Sequence, residues 1–188
     1  MQHASTVRLE TERLLLRRFR ECDAEAMFRN WANDPAVTKF LRWPAHTEIA
    51  VTQAVLRDWV ARYAQSDYYQ WAIVPKADGR DEPIGAIGAV EQNDALGIVH
   101  IGYCIGRRWW RQGMTSEALA RVIPFFFDVV KANRIESQHD PNNPNSGNVM
   151  RKCGLQYEGT LRQADFNNQG IVDAARYALL ARDYYTNA

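Results

Sequence analysis

The stretch GMTSEALARVIPFFFDVVKA, Gly113 to Ala132, constrains the fold more than any other part of the chain, because as a helix it is apolar nearly all round. Such a helix has no face to give to water, so it has to be buried and the other elements have to cover it. Pro124 falls inside it, removes one backbone hydrogen bond and predicts a kink or split near that point. With 188 residues the chain is long enough to build this core and has the usual size of one domain, so residues 1–188 are expected to form a single unit.

Around the helix, alternation of apolar and charged residues predicts a first strand over Val7 to Phe19. Asp23 is placed to cap a helix over 24–33 whose Ala26, Met27, Trp31 and Ala32 share a face, and Asp34-Pro35 ends it. A second helix starts near Thr47, with Ile49, Val51, Val55, Trp59 and Tyr63 at helical spacing. Strands near Tyr68 to Val74, Pro83 to Val90 and Ile98 to Ile105 read as an antiparallel meander, separated by KADGRDE and QNDALG. Beyond the buried helix come a strand at Arg134 to His139 and a short helix in PNNPNSGNVMRKCG, capped by Asn or Ser and stopped at Gly154. Two closing strands follow, joined by a turn at Asn168, Gln169 and Gly170, the second running through ARYALLARDYY.

Charge excludes some partners. Lys and Arg number 23 against 22 Asp and Glu, which gives no basic footprint for nucleic acid. No apolar run approaches the roughly 18–20 residues of a membrane span, and no secretory leader stands at the N-terminus, so no membrane partner is expected. Cys22, Cys104 and Cys153 are odd in number and widely spaced, without CxxC or a His cluster, which speaks against a disulfide framework and a metal site and for a reducing, cytoplasmic setting.

The chemistry is concentrated at the entry to the buried helix. A helix preceded by a glycine loop exposes unpaired N–H groups that attract phosphate, and Arg107, Arg108 and Arg111 add positive charge there. Gly113 as a plain turn with a solvated arginine rim is the competing reading. Neither GxxxxGK[ST] nor GxGxxG is present.

The order of the pieces resembles the GNAT acetyltransferase superfamily. IGYCIGRRWWRQGMTSEA is similar to its strand, pyrophosphate loop and helix. RIES followed by NNPNSGNVMRKCGLQYEGTLR resembles the signature of the branch containing the ribosomal-protein N-terminal acetyltransferases, and TERLLLRRF and ARYALLARDYY match its two ends. The resemblance implies an α/β fold: a mostly antiparallel, twisted sheet of about seven strands with about four helices, splayed between Ile98–Ile105 and Arg134–His139. It implies acetyl-CoA as cosubstrate, its pantetheine amides meeting the main chain of Tyr103, Cys104 and Ile105. The pyrophosphate would lie on Gln112, Gly113, Met114, Thr115 and Ser116, with Arg108 or Arg111 beside it. Two departures stand out: Arg111 occupies a loop position where glycine is common, and Met150 replaces the tyrosine that many members use to protonate the departing thiolate.

Another donor is then needed, and the resemblance puts Ser146 near the sulfur, where its hydroxyl can donate; capping the short helix is its other reading. Asn143 corresponds to the pantetheine-binding asparagine, or is a turn residue. The acceptor amine has to arrive neutral, which an α-amine with a pKa near 8 does more readily than a lysine near 10.4. Two bases compete. His100 carries the side chain that exchanges protons near neutral pH, at a position where many members have glutamate, and Asp165 matches an acidic residue reaching the amine, with a water relay as the alternative to both. Trp43, in the loop between the first two helices, is the candidate for the acceptor wall, or a packed anchor. The acceptor is a peptide N-terminus or a small amine such as an antibiotic, polyamine or amino acid. A non-catalytic acyl-CoA-binding protein and a homodimer stay open.

Overall fold

The computed structural model describes residues 1–77 and 79–186; residue 78, in the KADGRDE turn, lies outside it. Eight strands form one sheet in the order β1-β2-β3-β4-β5-β6-β8-β7. These are β1 (Leu9–Glu10), β2 (Leu14–Arg17), β3 (Gln70–Pro75), β4 (Gly85–Asn93), β5 (Ile98–Ile105), β6 (Arg134–His139), β7 (Gln156–Asn167) and β8 (Gly170–Leu180). The eighth strand arises because the expected Val7–Phe19 strand folds back on itself. Thr11 takes the Leu14 amide on its Oγ1 at 2.9 Å and closes a turn, so β1 and β2 pair as a hairpin.

Among the described residues six α-helices flank the sheet. The first, α1 (Ala24–Met27), widens into a π turn at Phe28–Ala32. Asp23 does not cap it as expected. Its carboxylate accepts the Arg17 guanidinium at 2.8 and 2.9 Å and the Arg20 amide at 2.8 Å, because Arg17 is buried beneath it and needs the charge. Asp34 does more than end the helix: it accepts the Ala36 amide at 2.9 Å and starts α2 (Pro35–Thr38). Then follow α3 (Ile49–Arg62), α4 (Met114–Pro124), α5 (Pro144–Lys152) and α6 (Ala181–Thr186). The proline break appears where expected, α4 passing into a π turn at Phe125–Val129 directly after Pro124.

The buried helix lies on one face of the sheet with α5. There Phe125 meets Trp71 edge-on at 5.6 Å and Phe126 meets Tyr69 at 5.0 Å, among Leu14, Leu16, Ile87, Val99 and Ile101. On the other face α1 and α3 bury Met27, Trp31 and Leu56 against Ala72, Val74 and Ala86. The last strand stops earlier than expected. β6 begins at Arg134, opposite Leu180, so a longer β8 would have no partner. The chain instead enters α6, where Tyr184 stacks on Phe127 at 4.9 Å and Tyr185 donates to the Phe127 carbonyl at 3.0 Å.

One irregularity of the sheet positions the site. The parallel pair β5–β6 holds only at Ile98, Val99 and His100 against Arg134, Ile135 and Glu136. Beyond that, β5 stays with β4 and β6 with β8, and the strands part. Ser137 closes the vertex by donating to the Ile101 carbonyl at 2.8 Å.

Candidate active site

The wedge between β5 and β6 has two chemically different sides, because successive side chains of a strand point to opposite faces. Toward α5 point Tyr103 from β5 and Ser137 and His139 from β6; toward the opposite face point Cys104 from β5 and Glu136 and Gln138 from β6. Main-chain groups alternate as well. Gly106 donates to the Ile84 carbonyl at 2.8 Å, which fixes the phase of the β4–β5 ladder and engages Cys104 with Ala86. Tyr103 and Ile105 therefore turn their main-chain groups to the wedge, and Cys104 turns its own to β4. The Ile105 carbonyl already accepts the Trp110 indole at 2.9 Å, leaving its N–H for a ligand.

At the mouth of the wedge the chain forms a nest for anions. Arg111 (φ 61°) and Gly113 (φ 78°) are both left-handed, and α4 starts at Met114. Glu117 is the first residue to bond back, to the Gly113 carbonyl at 3.0 Å, so the amides of Met114, Thr115 and Ser116 are left for a bound group. Arg111 holds a conformation that costs an L-residue roughly 1–2 kcal/mol, which explains why glycine suits that position. Of the arginines named from sequence, Arg107 is tied to Asp34 at 3.0 Å, Arg108 lies over the Trp109 ring at 5.7 Å, and Arg111 is exposed.

Two further cations stand beside the nest and were not legible locally. Arg13, from the β1–β2 turn, donates to the Gln112 carbonyl at 3.1 Å and pairs with Glu117 at 2.6 Å. A Cβ on Gly113 would lie 3.5 Å from Arg13 Nη2 and 3.9 Å from Lys152 Nζ, at the end of α5. Only the fold brings residues so far apart in sequence to one loop.

On the α5 side Ser146 is not a cap. Asn143 holds the N-cap position, without a side-chain cap bond, and Ser146 donates from Oγ to Tyr103 Oη at 3.1 Å. The phenol in turn donates to the Ser146 carbonyl at 2.9 Å. Burial pushes the Tyr103 phenol well above its ordinary pKa, against the opposing pull of Ser146. Met150 is fully buried in the core and offers no donor. His139, also missed from sequence, donates from Nδ1 to the Asp140 carbonyl at 2.8 Å, and its buried Nε2 faces Gly147, where a Cβ would come within 2.5 Å.

On the opposite face Asp165 sits against the parted half of β6. Its Oδ2 accepts Gln138 Nε2 at 2.5 Å, and its Oδ1 accepts Arg42 at 2.6 and 3.0 Å and the Phe166 amide at 2.8 Å. Arg42 belongs to the same loop as Trp43, which the β7–β8 turn holds down through Asn168, donating to the Trp43 carbonyl at 2.7 Å. Trp43 itself packs 5.1 Å from the His46 ring, against the core of α1 and α3. His100 lies in the closed part of the sheet, buried, 3.5 Å from Glu136. Hydrogen bonds from His100 and then Arg134 hold the Glu136 carboxyl at about 2, despite its partial burial. Burial pushes the Cys104 thiol up to about 12 and the Cys153 thiol to about 11, so neither is a ready thiolate nucleophile.

Comparison with known proteins gives the chain its family. Residues 13–156 match the model of the acetyltransferase (GNAT) domain. The "Uncharacterized N-acetyltransferase p20" of Bacillus licheniformis is 30% identical over 176 residues, 94% of this chain and 97% of that protein. The [ribosomal protein uS5]-alanine N-acetyltransferase of Escherichia coli is 32% identical over 60 residues, 32% of this chain and 31% of that one. Among solved structures, RimL, a ribosomal L7/L12 α-N-protein acetyltransferase in complex with coenzyme A, superposes with a TM-score of 0.82 at 19% identity, covering 94% of this chain and 99% of that one. The family model covers 144 residues of the chain, from 13 to 156, and this protein belongs to the GNAT family of N-acetyltransferases.

Proposed function

We propose that the protein transfers the acetyl group of acetyl-CoA to the α-amine of a peptide N-terminus. The observation that carries this reading is the two-sided wedge, with a hydroxyl pair on one face and a carboxylate on the other, leading to a cationic nest. The pieces suit the cosubstrate: the main-chain groups of Tyr103 and the Ile105 N–H match pantetheine amides, and Asn143, at the start of α5, is the further candidate to meet them. The amides of Gln112 to Ser116, with Arg13, Lys152, Arg108 and Arg111, match a pyrophosphate. Bound there, acetyl-CoA supplies an activated acetyl thioester.

The protein's own groups divide the remaining work. Ser146 donates a hydrogen bond on the sulfur side. Asp165 holds the acceptor amine on the other side and takes its proton, with Gln138 fixing one carboxylate oxygen and Arg42 occupying the other until an amine displaces it. Asp165 is preferred to His100 because it bonds to Gln138 in the parted half of β6, whereas His100 is paired with Glu136 where the strands are closed. Trp43 fixes the loop that carries Arg42. A peptide α-amine suits the weak base and the open face around β7, and the named substrates of the RimL and uS5-alanine enzymes are of this class.

The test compares two variants on one peptide. Asp165→Asn should lower kcat/KM about 100-fold at every pH from about 6 to 9, the size of a lost general base. His100→Gln should change it by less than about threefold, the sheet pairing being kept. Wild-type kcat/KM in Asp165→Asn, with a collapse in His100→Gln, would move the base to His100.

A further inference from the structure

The hydrogen bonds between Tyr103 and Ser146 have a direction that can be deduced. A phenol has one hydrogen, and Tyr103 gives it to the Ser146 carbonyl, which can only accept, at 2.9 Å. The 3.1 Å contact between the two hydroxyls therefore uses the hydrogen of Ser146, so at rest that hydrogen points at Tyr103 and away from the wedge. Ser146 cannot donate to anything else until it turns, and turning removes the hydrogen bond that the buried phenol oxygen accepts while leaving the Tyr103 hydrogen free to follow to Ser146 Oγ.

We propose that Tyr103 and Ser146 form a two-position hydrogen-bond switch, with Tyr103 as the positioning residue that lets Ser146 present its hydroxyl hydrogen to a sulfur gaining negative charge. In the first position Ser146 Oγ–H points to Tyr103 and Tyr103 O–H to the Ser146 carbonyl. In the second, Ser146 Oγ–H points into the wedge and Tyr103 O–H swings to Ser146 Oγ. Both oxygens of the pair keep a partner throughout. No proton changes owner, which fits a phenol that burial keeps protonated. The switch makes Ser146 a poor donor to a neutral thioester and a good one to a thiolate, so its hydrogen bond grows as charge develops. Met150, buried in the core, gives no alternative donor from α5.

This inference rests on the proposed acetyl-CoA site, and its test separates the two. Calorimetry compares coenzyme A with acetyl-CoA between about pH 6 and pH 9.5, across the ordinary thiol pKa of about 8.5. A site that favours thiolate lowers the thiol pKa, so coenzyme A binds more tightly as pH rises, while acetyl-CoA has no thiol to titrate and serves as the reference. The wild type should gain about tenfold in coenzyme A affinity relative to acetyl-CoA, equal to one pKa unit. Tyr103→Phe should keep acetyl-CoA affinity within about twofold and reduce the gain to about threefold or less, and Ser146→Ala should abolish the gain.

An undiminished gain in Tyr103→Phe overturns the switch, as does equal loss of both ligands in a folded Tyr103→Phe, which marks a merely structural tyrosine. A wild type that binds acetyl-CoA but shows no gain also overturns it and leaves the proposed function standing. Failure of the wild type to bind acetyl-CoA instead removes the site on which both ideas rest. Should Tyr103→Phe not fold, Ser146→Ala decides: a retained gain overturns the switch and a lost gain supports it.

Discussion

Gly113→Val should weaken acetyl-CoA binding roughly 100-fold, the worth of two charge-assisted hydrogen bonds at about 1.5 kcal/mol each. The space around Gly113 is not the obstacle, since an added Cβ would stay 3.5 Å or more from Arg13 and Lys152. The obstacle is conformational. A β-branched residue resists φ 78°, so the peptide turns, the amides of Gly113 and Met114 leave the nest, and the branch covers the approach. Calorimetry checks the loss, and circular dichroism checks that the fold survives. Unchanged affinity would remove this loop from the coenzyme site.

Ser146→Ala should lower kcat about 100-fold while leaving acetyl-CoA affinity within about twofold, because its hydroxyl matters most where charge develops. The structure sharpens this expectation, since the hydroxyl is spent on Tyr103 and not on the helix end. Loss of a cap would instead show as lower stability with turnover kept. Steady-state kinetics together with thermal unfolding separates the two outcomes, and unaltered kcat would take Ser146 out of the chemistry.

Much of the framework was legible because local pattern and tertiary need agree. Strands β5 and β6 fall on the expected bounds, and Pro124 interrupts the buried helix where its missing N–H requires. The errors came where a partner decides. Asp23 reads as a cap until Arg17 appears beneath it, and the closing aromatics read as strand until β6 proves too short to pair with them. The site followed the same division. Gly113 and Ser146 lie in contiguous motifs and could be read from them. Arg13, Lys152 and the Tyr103 side chain reach the candidate site across 99, 39 and 43 residues of sequence, and no spacing announces such approaches. The pairing of Asp165 with Arg42 across 123 residues belongs with them.

The most direct measurement of the central claim is coenzyme A release by the wild-type protein, given acetyl-CoA and a panel of acceptors. The panel should hold peptides with free N-termini, the same peptides with formylated N-termini, a polyamine and an aminoglycoside. The account predicts release with the free peptides, none above background with the blocked ones, and acetylation of the N-terminal residue by mass spectrometry. Release with the small amines alone would contradict the peptide acceptor, and release with none of them would contradict acetyl transfer to an amine at this wedge.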